Sequence, residues 1–262
     1  MLGAITQALE RVLAGVPARP GAMRAAAAIA DAVVAHAVSF APAPEPPYHD
    51  QYHQAEATFA MGLLCTAARD LVLIDATEAA AGVLAMAGHD LLHDGSPAPA
   101  GVLEAISAKR ACALAAAAGM DYAHVAIIRR VILATATDLV PEAPCDDLLS
   151  RLAQEADLFA SLTPNLGWRL GQALAREWRS ADYAPAWRPD TFAGRLHLLR
   201  TLRPMTKAGQ QLGLAAAVAD QTAAFALLGD GDADRGAALL DTLPPGVACA
   251  RFAASLARCA LR

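Results

Sequence analysis

Alanine supplies roughly a quarter of the 262 residues, well above average usage, and that single fact restricts the fold more than any other. Alanine has the best intrinsic helix propensity, and its small side chain lets helices approach closely. Aromatic residues are only 5% of the chain and β-branched runs are scarce, so an all-β fold is excluded. Apolar residues recur at helical spacing in nearly every window, which predicts an all-α bundle of about ten helices forming one domain over 1–262. Clusters of Pro and Gly mark five breaks, at Val16–Gly21, Ala41–Pro47, Gly95–Gly101, Val140–Pro144 and Tyr183–Pro189. No fixed-period repeat is present, so a solenoid is not expected.

Charge and cysteine usage remove several classes of function. With 21 Lys and Arg against 26 Asp and Glu the net charge is −5, and no basic cluster provides the footprint of a nucleic-acid binder. The five cysteines are widely spaced and in no CxxC pair, which reads as reduced, mostly buried thiols rather than a disulfide framework or a thiolate zinc site. The apolar stretches Ala25–Ala41 and Leu212–Leu228 are each interrupted by polar residues, so no membrane span is expected. A cytoplasmic protein with a small-molecule substrate is the expectation, and the Ala-rich helices are compatible with a homodimer. Gly229–Asp234 lacks the Gly and Glu offsets of a calcium loop and reads as a solvated turn.

Histidine carries the chemical information. Four of seven lie in two short clusters, TyrHisAspGlnTyrHis at 48–53 and HisAspLeuLeuHis at 89–93. His49 and His53 are four apart, as are His89 and His93, a spacing that on a helix projects both rings from one face toward a common metal. His89 and Asp90 follow the apolar segment 82–88, which puts an ionisable pair near the end of a buried helix, costly unless paired or metal-bound. His36 and His197 are read as structural residues.

The ordered set resembles the HD-domain metal-dependent phosphohydrolase superfamily, and within it the catalytic domains of class I cyclic nucleotide phosphodiesterases. That family reads Tyr-His-Asn-x-x-His, then His-Asp-x-x-His-Pro-Gly, Val-Leu-Glu-Asn-His-His, Leu-Ala-Thr-Asp and Ala-Asp-Leu-Ser-Asn-Pro. This chain has Tyr48-His49-Asp50-Gln51-Tyr52-His53, then His89-Asp90-Leu91-Leu92-His93-Asp94-Gly95. Val102-Leu103-Glu104, Leu133-Ala134-Thr135-Ala136-Thr137-Asp138 and Ala156-Asp157-Leu158 follow in the same order. Asp50 and Asp94 replace the family's Asn and Pro, the histidines after Glu104 are missing, and Asp138 is displaced by two.

The resemblance covers about 48–160, with 1–47 as N-terminal helices and 161–262 as C-terminal helices completing the pocket. It implies that His53, His89, Asp90 and Asp157 hold a first divalent metal (Zn, Mn, Fe or Mg), with Asp90 bridging to a second. His93 and Glu104 would order water around that second ion, His124 and Asp138 are further candidates for it, and His49 would be the general acid. The implied function is hydrolysis of a small-molecule phosphoester, such as a nucleotide. Two alternatives stand beside it, a di-iron oxygenase of HD type and a non-catalytic helical binding protein with a structural metal. No Ser-Gln-x-x-Phe base-reading motif is present, and Gln210, Gln211 and Gln221 read as ordinary helix-face residues. Asp146, Asp147 and Glu155 read as helix N-terminal and solvated-face charges. The Trp168, Trp178, Trp187 stretch with Arg169, Arg176 and Arg179 reads equally as a phosphate-binding mouth or as helix packing.

Overall fold

The computed structural model describes residues 1–16, 20–99, 101–136, 147–183, 187–202 and 204–259. The chain is 72% helical, with thirteen helices and no strand among these residues, as its composition requires. It divides into two compact units, Met1–Ala160 with Thr206–Leu212, and Ser161–Met205 with Gly213–Arg262.

The first unit contains α1 (Leu2–Val12), α2 (Pro20–Ser39), α3 (Gln51–Asp70), α4 (Ala76–Ala87), α5 (Val102–Ala117), α6 (Tyr122–Leu133), α7 (Leu148–Leu158) and the short α10 (Lys207–Gln211). Helix α4 is its axis: ten of its twelve residues are buried, from Ala76 through Ala87, and it packs against α1, α2, α3, α6 and α7. A helix apolar on all sides belongs in the middle of a core. Gly82 and Gly88 permit the close approach, because a β-carbon at Gly82 would press on the Met61 side chain at 2.8 Å and one at Gly88 on Ala111 at 2.9 Å. Helix α2 is long and apolar enough to cross a membrane by length and composition. In the folded chain it buries Ala22, Ala25, Ala26, Ile29, Ala30 and Val33 and packs on α4 and α5.

The second unit contains α8 (Pro164–Ser180), α9 (Phe192–Thr201), α11 (Leu214–Leu228), α12 (Ala233–Asp241) and α13 (Pro245–Cys259). Its core is aromatic: Phe192, Phe225 and Phe252 pack mutually, and Trp168 stacks on Phe192 with centroids 4.3 Å apart. Trp178 meets Tyr183 and Trp187 edge-on, while Arg179 pairs with Asp190 at 3.0 Å, so this stretch is engaged in helix packing.

The Ala41–Pro47 break falls between α2 and α3, the described part of Gly95–Gly101 lies between α4 and α5, and the first break ends in the opening turn of α2 at Pro20, whereas Val140–Pro144 lies outside the described residues. The additional breaks come from single capping residues, which explains why thirteen helices form where about ten are expected. Asp75 caps α4 in a capping box with Glu78, Asp121 caps α6, Thr206 caps α10 and Asp232 caps α12. Asp232 lies in the 229–234 turn, which is therefore a helix start. Of the cysteines, Cys65 is buried while Cys112, Cys249 and Cys259 are only partly covered, and all four are free. The expectation that most are buried does not hold, since three of these lie on partly exposed positions of α5 and α13. Cys145 lies outside the described residues.

Candidate metal centre

Two helices and one turn of the first unit converge on the centre. Asp50 is the N-cap of α3 and accepts hydrogen bonds from the backbone N–H of Tyr52 (2.9 Å) and His53 (2.8 Å), which places His53 in the first helical turn. Helix α4 ends at Gly88, and a turn carries His89 and Asp90 back toward α3, with Leu91 N–H donating to the Gly88 carbonyl and His93 N–H to that of Asp90. Asp157 comes from the last turn of α7. The four side chains are brought together from positions that are remote in sequence.

Helical i, i+4 spacing is not how the histidines meet. His49 precedes the α3 cap, and 89–93 is a turn, because the cap at Asp50 and the stop at Gly88 keep both pairs out of regular helix. His49 instead stacks face to face on His93, centroids 3.8 Å apart, while Tyr48 packs edge-on against His49.

The donor atoms lie at contact distance. His53 Nε2 is 3.1 Å from Asp157 Oδ1 and 3.5 Å from Asp90 Oδ2, and His89 Nε2 is 3.1 Å from Asp90 Oδ2 and 3.3 Å from Asp157 Oδ1. Neighbouring donors around one cation at about 2.1 Å are separated by about 3.0–3.4 Å in octahedral or tetrahedral arrangement, so the spacing of His53, His89 and Asp157 suits a shared ion, with Asp90 beside the two imidazoles. Neither Nε2 makes a hydrogen bond, although both are buried. His89 Nδ1 lies 2.8 Å from the Met86 carbonyl, which can only accept, so Nδ1 carries the proton and a neutral ring offers its Nε2 lone pair to the centre. The residues present thus fit a divalent metal. Side-chain exposure is 3% for His53 and 1% for His89 but 22% for Asp157, so the centre reaches solvent on the Asp157 side.

The electrostatics state the same requirement for positive charge. Burial disfavours a charged His53, yet the Asp157 and Asp90 carboxylates outweigh it and raise its pKa to about 9. His89 is likewise held well above its ordinary value against burial, by Asp90 and Asp157. Burial pushes the two carboxyls up, but the imidazoles win and hold Asp90 and Asp157 below the usual carboxylate range. In the absence of a cation, protons on the imidazoles supply the charge that the paired carboxylates demand.

The remaining expected residues divide. Glu104, in the first turn of α5, is half-buried, and its pKa is raised by burial and by the charges of Asp90 and Asp157. His93 Nδ1 accepts from the Gly95 N–H at 3.0 Å, which leaves the proton of a neutral ring on Nε2, a donor suited to orienting water. His124 is not brought to the centre: its Nδ1 pairs with Asp121 at 2.6 Å, and it lines a separate cleft with Pro20, Thr77 and Gly119. Asp138 and Asp146 lie outside the described residues. His36 is structural as expected, donating through Nε2 to the His93 carbonyl at 3.0 Å. Asp147 caps α7 by accepting from the Ser150 N–H.

Two residues escaped the sequence reading. Gln54 is buried beside His53 and donates from Nε2 to the Asp90 carbonyl at 2.6 Å, holding the HisAsp turn against α3. Its adjacency to His53 in a polar cluster was the available signal. Glu155 is not a solvated charge: it is buried and accepts from the Thr206 N–H (2.5 Å) and Oγ1 (2.7 Å), fixing the N-terminus of α10 two residues before Asp157. A β-carbon at Gly209 would sit 2.5 Å from its carboxylate, so the contact also needs that glycine.

No protein-family model matches the chain, and no curated protein is significantly similar to it.

Proposed function

We propose that the first unit is a metal-dependent phosphohydrolase that cleaves a phosphoester of a small molecule. One observation carries this reading: two buried imidazole nitrogens without hydrogen bonds face two carboxylates at 3.1–3.5 Å. His53, His89, Asp90 and Asp157 would hold the ion. A divalent cation there supplies Lewis-acid polarisation of a phosphoryl oxygen and an acidified water at neutral pH. Gln54 fixes the Asp90 backbone, and Glu104 adds a carboxyl at the edge of the centre. His49 lies next to the first turn of α3, its ring centroid 5.8 Å from that of His53. From that position a protonated imidazole donates to a departing alkoxide. His93 stacks on His49 and restricts its ring orientation.

The reading stops at phosphoester and does not extend to a nucleotide. Gln221, expected from the sequence to be an ordinary helix-face residue, is instead fully buried in the second unit, where it bonds to Arg195 and the Leu162 carbonyl. A di-iron oxygenase would need a further protein ligand from His124 or His93. The first is paired with Asp121, and the second already accepts through Nδ1 from Gly95.

The test is metal content of the purified protein together with hydrolysis of bis(p-nitrophenyl) phosphate by wild type and Asp90→Ala. Bound metal, with turnover abolished by the substitution, supports the reading. Tight metal without turnover favours a structural clasp, and no metal after reconstitution with manganese, zinc or iron overturns both.

A further inference from the structure

Arg195, on α9 of the second unit, is a buried cation without a buried anion. Only 4% of the residue is exposed, and its partners are all neutral. Nε and Nη2 donate to the Gln221 side-chain oxygen, Nη1 to the Ser161 carbonyl at 3.0 Å, and Nη2 also to the Thr163 carbonyl at 2.9 Å. A guanidinium has five N–H groups, so one Nη1 hydrogen is left over, and no carboxylate pairs with the side chain among the described residues. Burial alone pulls its pKa down to about 10. A cation held in this way carries an uncompensated desolvation cost.

Arg195 also lines a cavity of about 130 Å³. The stacked rings of Trp168 and Phe192, together with Phe252 and Leu256, form apolar walls, and the first turn of α8 at Pro164 and Asn165 forms another. The N-terminal end of a helix carries positive partial charge, so that wall adds to the field of the guanidinium. Asn165 and Ala253 are exposed and mark the mouth. A cavity of about 150 Å³ lined by apolar side chains accepts benzene, so this volume admits a single small ring.

We infer that this cavity binds a small aromatic monocarboxylate, its ring among Trp168, Phe192 and Phe252 and its carboxylate on Arg195. Arginine with a carboxylate forms short, charge-assisted hydrogen bonds, and the ligand would supply the negative charge that the protein leaves out. The site is built from residues of the second unit alone and is independent of the phosphohydrolase reading.

The experiment is calorimetric titration of the full-length protein with sodium benzoate, benzyl alcohol and inorganic phosphate. Arg195 also ties down the 161–163 segment, so the test variant is Ala253→Trp, which blocks the mouth from an exposed position on α13 without touching the guanidinium. Benzoate should bind saturably at one per chain, with benzyl alcohol at least tenfold weaker. Ala253→Trp should weaken benzoate at least tenfold with unchanged circular dichroism. Asp90→Ala should leave benzoate binding intact, which separates this cavity from a carboxylate landing on a metal. The inference is overturned by no saturable benzoate binding at millimolar concentration, equal affinity for the alcohol, phosphate binding in place of benzoate, insensitivity to Ala253→Trp, or loss in Asp90→Ala.

Discussion

Gln54 Nε2 donates to the main-chain carbonyl of Asp90 at 2.6 Å, so the residue after one candidate metal ligand holds the backbone of another. The bond is buried, and Thr58 in turn donates through Oγ1 to the Gln54 carbonyl, one turn further along α3. Removing the Gln54 donor leaves a buried carbonyl unpaired, at a cost of about 1–3 kcal/mol. Outer-shell partners of this kind are typically worth about 10–100-fold in metal affinity. Gln54→Leu is therefore expected to stay folded by circular dichroism while its metal affinity drops by that factor in a chelator competition. Unchanged affinity would reduce Gln54 to a packing residue.

The helix caps allow a paired comparison. Asp50 and Asp75 each accept two backbone hydrogen bonds at a helix start, but only Asp50 positions a candidate ligand. Replacing either by Ala is expected to cost about 1 kcal/mol in urea denaturation. Metal affinity should fall only in Asp50→Ala, because its cap sets the backbone of His53. An equal loss in Asp75→Ala would show that the centre responds to global stability and not to this cap.

Gly167 is the position in the second unit where a single methyl group would press on the Arg195 guanidinium itself. A β-carbon there would collide with the Ser161 carbonyl and with Arg195 Nη1, two groups already hydrogen-bonded to each other. Overpacking of this kind costs about 1–3 kcal/mol. Gly167→Ala should lower the denaturation midpoint accordingly and weaken benzoate binding, since the guanidinium must move. A variant as stable as wild type would contradict the packing described for Arg195.

An acid-dependent contribution comes from Asp190. Burial raises its pKa, but the guanidinium groups of Arg188 and Arg179, each 3.0 Å away, outweigh this and hold it below the ordinary value of 3.8. A carboxyl whose folded pKa is depressed contributes stability that is present above its unfolded value and is lost as pH falls through the folded one. Asp190→Asn should therefore melt at lower temperature than wild type at pH 7, and the gap should close as the pH is lowered below about 4. A gap that persists in acid would assign the effect to the shape of the amide and not to charge.

Local chemistry made much of the molecule legible before any coordinates. Alanine content and 3.6-residue periodicity determine the helices, and Pro–Gly clusters mark interruptions such as those at 41–47 and 95–101, because both act within a few residues of chain. The His and Asp clusters marked the centre for a related reason: ionisable side chains beside an apolar run such as 82–88 are too costly to bury without a common partner. The convergence of His53, His89, Asp90 and Asp157 was anticipated only through the resemblance of the ordered motifs to the HD-domain superfamily; their 3.1–3.5 Å separations depend on how α3, α4 and α7 pack. Tertiary structure alone decided that His49 meets His93 by stacking, that Gln54 and Glu155 are buried anchors, and that His124 turns to Asp121. It also decided that Arg195 is enclosed with neutral partners beside an aromatic cavity. Apart from the local His124–Asp121 pair, each of these depends on contacts between segments remote in sequence, and a polar side chain reads the same in sequence whether water or another helix will satisfy it.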